Sequence, residues 1–191
     1  HTLIPRSDTE TLVEEALKLL PRGACFADLC TGSGCILLSL LHYSNHCTGV
    51  GVDISEDALT VAKANCEKLG LNASFLQSNL FEKVEGTYDI IVSNPPYIPQ
   101  SEMAAMHINV TEHEPHMALF VDDNDPLIFY REIARAAKKL LSEQGFLLFE
   151  IHETLATQTA DMLRCEGFHN IEIRHDFRQK PRMICCRPNQ K

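Results

Sequence analysis

Short apolar runs alternate with segments of helical periodicity along almost the whole chain, and that alternation confines it to an α/β fold built on a mostly parallel sheet. Ala24 to Leu29, Cys47 to Val52, Ala73 to Gln77, Tyr88 to Ser93 and Gly145 to Ile151 read as strands. Between and around them, helices are expected from Ser7 to about Leu20, over Cys35 to Tyr43, from Ser55 to the terminating Gly70, and over Thr154 to Glu166 before Gly167. A further helix should open at Asp125-Pro126 and line one side with Phe129, Ile133, Ala137 and Leu140. Ser7-Asp8-Thr9-Glu10 has the form of a capping box, in which the Ser7 hydroxyl and the Glu10 carboxylate satisfy orphan amides. Asn170 to Arg174 and Arg182 to Arg187 read as a closing β-hairpin. The expectation is therefore a seven-stranded, Rossmann-like sheet, parallel except for that C-terminal antiparallel hairpin.

At 191 residues, with no internal repeat and no Gly/Ser- or Pro-rich linker, the chain reads as a single domain over residues 1–191. Its apolar stretches, such as Cys35 to Leu41 and Gly145 to Phe149, fall well short of the roughly 20 residues of a spanning helix, so a soluble protein is expected. A net charge of −9 and a pI near 5.4 have the wrong sign for stable binding to nucleic-acid backbones. The eight cysteines form no Cys-x-x-Cys pair and the nine histidines no His-x-x-x-His on a helix; no metal site is expected, and the thiols read as reduced in a cytoplasmic setting. From Ile98 to Asn124 periodicity fails, and an irregular connection of that length is usually functional. Six carboxylates and no Lys or Arg fall within residues 101–130, so this segment is expected to be a lid or a docking surface for a protein substrate.

Two motifs carry chemistry. Asp28-Leu29-Cys30-Thr31-Gly32-Ser33-Gly34 sits at a strand-to-helix turn, and Asp53 closes the next strand 21 residues after Gly32. Glycines there admit a ligand close to the backbone, and an acid at that spacing accepts hydrogen bonds from ribose hydroxyls. The third glycine of a dinucleotide fingerprint is replaced by Leu37, which favours an adenosine-type ligand without phosphates, such as S-adenosylmethionine. The second motif, Asn94-Pro95-Pro96-Tyr97, follows the fourth strand. Two prolines withhold two amides, leaving the Asn94 carboxamide and the Pro95 carbonyl as acceptors for the hydrogens of a substrate amine or amide. Such acceptors favour the pyramidal, positively charged nitrogen of the transition state, and Tyr97 supplies an aromatic wall for a planar group.

With these residues in place the chain resembles, over almost its whole length, the peptide chain release factor glutamine methyltransferases (the HemK-type family). The resemblance is carried by Ile4-Pro5-Arg6-Ser7-Asp8-Thr9-Glu10, Asp28 to Gly34, Ser93 to Ile98, Glu114-Pro115 with Ala118-Leu119, Phe129-Tyr130-Arg131 and Gly145 to Glu150. It implies the S-adenosylmethionine-dependent methyltransferase fold, with S-adenosylhomocysteine as product. Cys30, Thr31, Gly32, Ser33 and Gly34 would then line the methionine and ribose part of the cofactor, with Asp53 on the ribose, Asn79 and Leu80 at the adenine, and Asn94, Pro95, Pro96 and Tyr97 holding the glutamine. Release factors 1 and 2 would be the substrates of a cytoplasmic monomer, and on this resemblance the chain is expected to be a catalytic-domain fragment without the family's N-terminal helical recognition domain ahead of Thr2. Cys30 departs from the family's usual glycine, and Leu80 from a larger residue. Alternative readings are methylation of an exocyclic amine of adenine in DNA or RNA, methylation of a glutamine in a ribosomal protein, and a non-catalytic nucleoside-binding module.

Overall fold

In the computed structural model, which describes residues 2–4, 6–106, 114–176 and 178–189, a seven-stranded sheet runs in the order β3-β2-β1-β4-β7-β9-β8. The strands are β1 (Cys25–Leu29), β2 (Thr48–Asp53), β3 (Ser74–Gln77), β4 (Tyr88–Ser93), β7 (Leu141–Glu150), β8 (Phe168–His175) and β9 (Pro181–Pro188). β1 pairs in parallel with β2 and β4, β2 with β3, and β4 with β7; β9 is antiparallel to both β7 and β8. This is the sheet expected from the alternation. Strand order reverses at β1, from which the chain runs outward to β3 before returning to β4 on the other side. A crevice at the carboxyl ends of β1 and β4 results, the usual ligand position in such sheets.

Both faces of the sheet are covered, which is why its central strands are apolar on both sides. Ile90, Val92 and Phe26 pack with Leu12 and Ala16 of α1 (Ser7–Leu19) and with Ile36, Leu37 and Leu40 of α2 (Cys35–Tyr43). Ile91, Leu147 and Phe149 face the other way, onto Tyr130, Ile133, Ala134 and Ala137 of α4 (Ile128–Leu140) and Ala160 and Leu163 of α5 (Ala156–Cys165). The remaining helix, α3 (Glu56–Lys68), starts at Ser55, whose side chain accepts a hydrogen bond from the Ala58 amide. A Cβ on Gly49 would lie 2.7 Å from both Leu37 Cδ1 and Phe26 Cζ, so glycine at this point of β2 is what lets α2 approach the sheet.

Two capping expectations are corrected. Arg6, not Ser7, occupies the N-cap of α1 and makes no side-chain cap bond; the Ser7 side chain is outside the described residues. Asp125-Pro126 precedes a helix that begins at Ile128. Asp125 receives two bonds from the Arg131 guanidinium, at 2.7 and 2.8 Å, and these together with a backbone hydrogen bond from Leu127 hold its carboxyl below the usual range. The irregular segment gains a small parallel pair, β5 (Ile98–Pro99) with β6 (Phe120–Val121), and 3-10 turns at Gln100–Ala105 and His116–Ala118. Pro5, Glu112 and His1 lie outside the described residues.

Candidate active site

The turn after β1 is held from below by a buried carboxylate. Asp28 Oδ2 accepts from the Thr31 hydroxyl at 2.6 Å and from the Leu37 amide at 3.2 Å, while Oδ1 is buried without a hydrogen-bond partner. Burial pushes the Asp28 carboxyl up to about 7, against the lowering effect of those two bonds. Cys30, Gly32 and Gly34 all take the left-handed conformation, at φ 57°, 55° and 79°. A Cβ on Gly32 would meet nothing within 4 Å, whereas one on Gly34 would sit 3.2 Å from Ala62 Cβ. Gly32 thus opens onto a cavity, and Gly34 serves helix packing behind it.

That cavity, about 270 Å³, is lined by the predicted Cys30, Thr31, Gly32, Ser33, Asp53, Asn79, Leu80, Asn94 and Pro96. Gly34, Pro95 and Tyr97 are not on its wall. Asp53 accepts from the Gly32 amide through Oδ2 and from the Ser55 amide through Oδ1, both at 2.9 Å. Each oxygen keeps a second lone pair for a ligand hydroxyl. Asn79 stands exposed at the rim with its Nδ2 donating to Glu82 at 2.9 Å, and Leu80 is half-buried with φ 47°. Asn94 is half-buried at the end of β4, and its carboxamide makes no hydrogen bond among the described residues.

Cys30 and Cys35 also line the cavity, yet their thiols are poor nucleophiles. Burial, reinforced by the Asp53 carboxylate, raises Cys30 to about 12, and burial with the Asp28 charge raises Cys35 to about 11. Among the described residues, no group of three or more His, Cys, Asp or Glu could hold a metal ion. No described helix is long and apolar enough to cross a membrane.

Sequence reasoning missed several walls. Thr2, Leu3 and Thr9 close one side, Pro115 and Met117 another, and Phe129 lines the cavity instead of joining the helix face assigned to it. Long-range tethers place these segments. Arg6 Nη2 donates to Glu114 Oε1 at 2.7 Å, and Thr9 Oγ1 to Glu150 Oε2 at 2.6 Å. The described carboxylates of the irregular segment likewise have partners within the chain. Glu102 meets His152 at 3.1 Å, Asp123 accepts from Ser101 at 2.7 Å, Asp122 from Asn124 at 2.8 Å, and Asp125 holds Arg131. Glu102 and Glu114 tie the described parts of the segment to His152 and Arg6, and Pro115 and Met117 line the cavity.

Residues 7–114 match the family described as methyltransferase small domain, which puts the sheet and its crevice in the class of methyltransferases. A release factor glutamine methyltransferase of Flavobacterium psychrophilum is 40% identical over 191 aligned residues, taking in 96% of this chain and 67% of that protein. The chain belongs to the release factor glutamine methyltransferase family. Among solved structures, the release-factor-specific protein-(glutamine-N5) methyltransferase of Alicyclobacillus acidocaldarius is 26% identical with a TM-score of 0.59, covering 98% of this chain and 95% of that one. A 16S rRNA methyltransferase of T. thermophilus in complex with AdoMet and guanosine shares the fold, at TM-score 0.70 and 18% identity over 97% of this chain and 44% of that one. Against three relatives, this chain spans 67%, 66% and 58% of their length.

Proposed function

We propose that the chain transfers a methyl group from S-adenosylmethionine to the side-chain amide nitrogen of the glutamine in the Gly-Gly-Gln motif of a peptide chain release factor. The observation that carries the reading is the Asn94 carboxamide, uncommitted, on the wall of the cavity that holds Gly32 and Asp53. The cavity fits an adenosine-type cation: open space over Gly32, spare lone pairs on Asp53 for a ribose, and an unpartnered carboxylate oxygen of Asp28 beneath the turn. When bound, the cofactor supplies a methyl group already activated on a sulfonium.

What remains for the protein is alignment and charge stabilisation. The amide nitrogen of glutamine is a poor nucleophile because its lone pair is delocalised into the carbonyl. The Asn94 carbonyl oxygen on the cavity wall accepts one of its hydrogens and the Pro95 carbonyl, next along the chain and outside the cavity lining, is the second acceptor, which favours a pyramidal nitrogen and stabilises the positive charge that develops there; the methylated nitrogen, now acidic, gives its proton to water as S-adenosylhomocysteine is formed. Pro95 and Pro96 contribute no competing N–H. Thr2 and Leu3 wall the cavity on one side and Pro115 and Met117 on another. The substrate places this reaction in the cytoplasm.

Incubation with methyl-labelled cofactor and a release factor, followed by fragmentation, should locate the label on the motif glutamine. Asn94→Ala should bind cofactor normally and lower the transfer rate by about a hundredfold, comparable to deleting one oxyanion-hole donor. Label on nucleic acid alone, or wild-type turnover in that variant, would overturn the assignment.

A further inference from the structure

The carboxylate of Glu150 lies at the carboxyl end of β7, one residue beyond the Ser93–Phe149 pair that precedes Asn94, and its residue is only 3% exposed. Two hydroxyls converge on it. Thr9 Oγ1 donates to Oε2 at 2.6 Å and the Tyr97 hydroxyl to Oε1 at 2.9 Å. The backbone under it is fixed as well, since the buried Tyr130 hydroxyl donates to the Glu150 carbonyl at 3.2 Å and the Ile151 amide to Arg182 at 2.9 Å. Thr9 lines the cavity, so the network reaches from the cofactor side to the last residue of the Asn94–Tyr97 motif.

We propose that Glu150 is a positioning residue for methyl transfer, acting through Tyr97. This inference rests on the reading of the crevice as a glutamine methylation site. Hydroxyl-to-carboxylate bonds are charge-assisted and short, and one carboxylate can accept both donors without either having to turn. Anchoring the Tyr97 hydroxyl ties the end of the Asn94–Tyr97 turn to the carboxyl end of β7, although the ring can still turn about the axis through that hydroxyl. Tyr97 is not on the cavity wall, so the anchor acts through the turn it ends, which carries the acceptor atoms of Asn94 and Pro95, and not by ring contact with the substrate. Glu150→Gln removes half of this arrangement, because an amide side chain turns a donor toward one of the two hydroxyls.

The test combines kinetics with an observation that needs no substrate. Glu150→Gln and Tyr97→Phe should each lower kcat about tenfold, while KM for the release factor and the calorimetric Kd of S-adenosylmethionine stay within about threefold. The double variant should fall no more than about twofold below either single one, since both remove the same anchor. A double loss equal to the product of the single losses would overturn the inference. Thr9→Val should lower kcat severalfold and Thr9→Ser restore it; this pair, crossed with Tyr97→Phe, decides the question if Glu150→Gln does not fold. Amide hydrogen exchange of the cofactor-free protein gives a second readout: the Ile98 amide next to Tyr97, bonded to the Leu119 carbonyl at 3.0 Å, should exchange severalfold faster in Tyr97→Phe and Glu150→Gln than in the wild type. If the wild type methylates no release factor, the functional reading falls while the exchange result still decides the role of Glu150. Equal exchange of that amide in all forms would refute it.

Discussion

Asp28 gives the fold a pH dependence of defined sign. Its side chain is fully buried, and burial holds the folded-state carboxyl at about 7 against 3.8 for the free group. Below about pH 3 both states carry the proton and Asp28 costs nothing. As pH rises toward 7 the unfolded chain ionises first, so the folded state binds more protons and loses stability; above about pH 8 the full penalty is present and constant. At 1.36 kcal/mol per pKa unit the full penalty is about 4 kcal/mol, of which about 2.5 kcal/mol develops between pH 5 and pH 8. Asp28→Asn abolishes it. At pH 5 the variant should be the less stable form by about 1–3 kcal/mol, because an amide donor replaces the buried Oδ1. By pH 8 the difference should have moved about 2.5 kcal/mol in the variant's favour. Urea unfolding of both proteins across this range isolates Asp28, since every other titrating group is common to the two. Parallel stability curves would refute the argument. A cationic ligand over the turn should draw the carboxyl down, so that binding at about pH 6.5 releases protons, read as a calorimetric heat that depends on the buffer.

Three further outcomes are expected. Gly49→Ala should destabilise by about 1–3 kcal/mol in thermal unfolding, because its Cβ would lie 2.7 Å from Leu37 Cδ1 and Phe26 Cζ; an unchanged Tm would mean that α2 yields freely. Asp53→Ala should weaken S-adenosylmethionine binding by about 1–3 kcal/mol in calorimetry, leaving ribose hydroxyls and the Gly32 and Ser55 amides unpaired; equal affinity would move the ribose elsewhere. Cys30→Gly should leave stability within about 1 kcal/mol, whereas Cys30→Val, β-branched at φ 57°, should cost about 2 kcal/mol or more; equal melting of the two would deny the strain.

The sheet was legible because its signals are local. β4 and α2 fall on the predicted residues, Tyr88 to Ser93 and Cys35 to Tyr43, since each is a run whose own period and flanking turns define it. Asn94 and Asp53 were legible for a related reason: a residue that ends a parallel strand is delivered to the crevice by topology alone. Caps fared worse. Ser7 and Asp125 carried good capping chemistry, but a cap competes with whatever tertiary partner the fold brings near. Arg131 took Asp125, and Arg6 at the N-cap of α1 was drawn to Glu114, 108 residues away.

The same distinction separates the parts of the site that could be read from those that could not. Thr9 and Glu150 are 141 residues apart and Tyr97 and Glu150 are 53 apart, so nothing in either neighbourhood announces the bond. A glutamate closing an apolar strand was the available signal, since Leu147, Leu148 and Phe149 are wholly buried and the charge that follows them had to be buried with partners. Strain marks the site in the same non-local way. Cys30 and Leu80, expected from the resemblance to depart from the family pattern, are also the cavity-lining side chains held at positive φ, 57° and 47°. Non-glycine residues stay in that region only where neighbours over-determine the backbone. Around Cys30 those neighbours are the Thr31 amide bonded to the Val52 carbonyl at 3.0 Å and the Thr31 hydroxyl on Asp28 at 2.6 Å. The buried Asp28 carboxyl therefore clamps the turn in a conformation that its cysteine resists, and the same burial raises it to about 7.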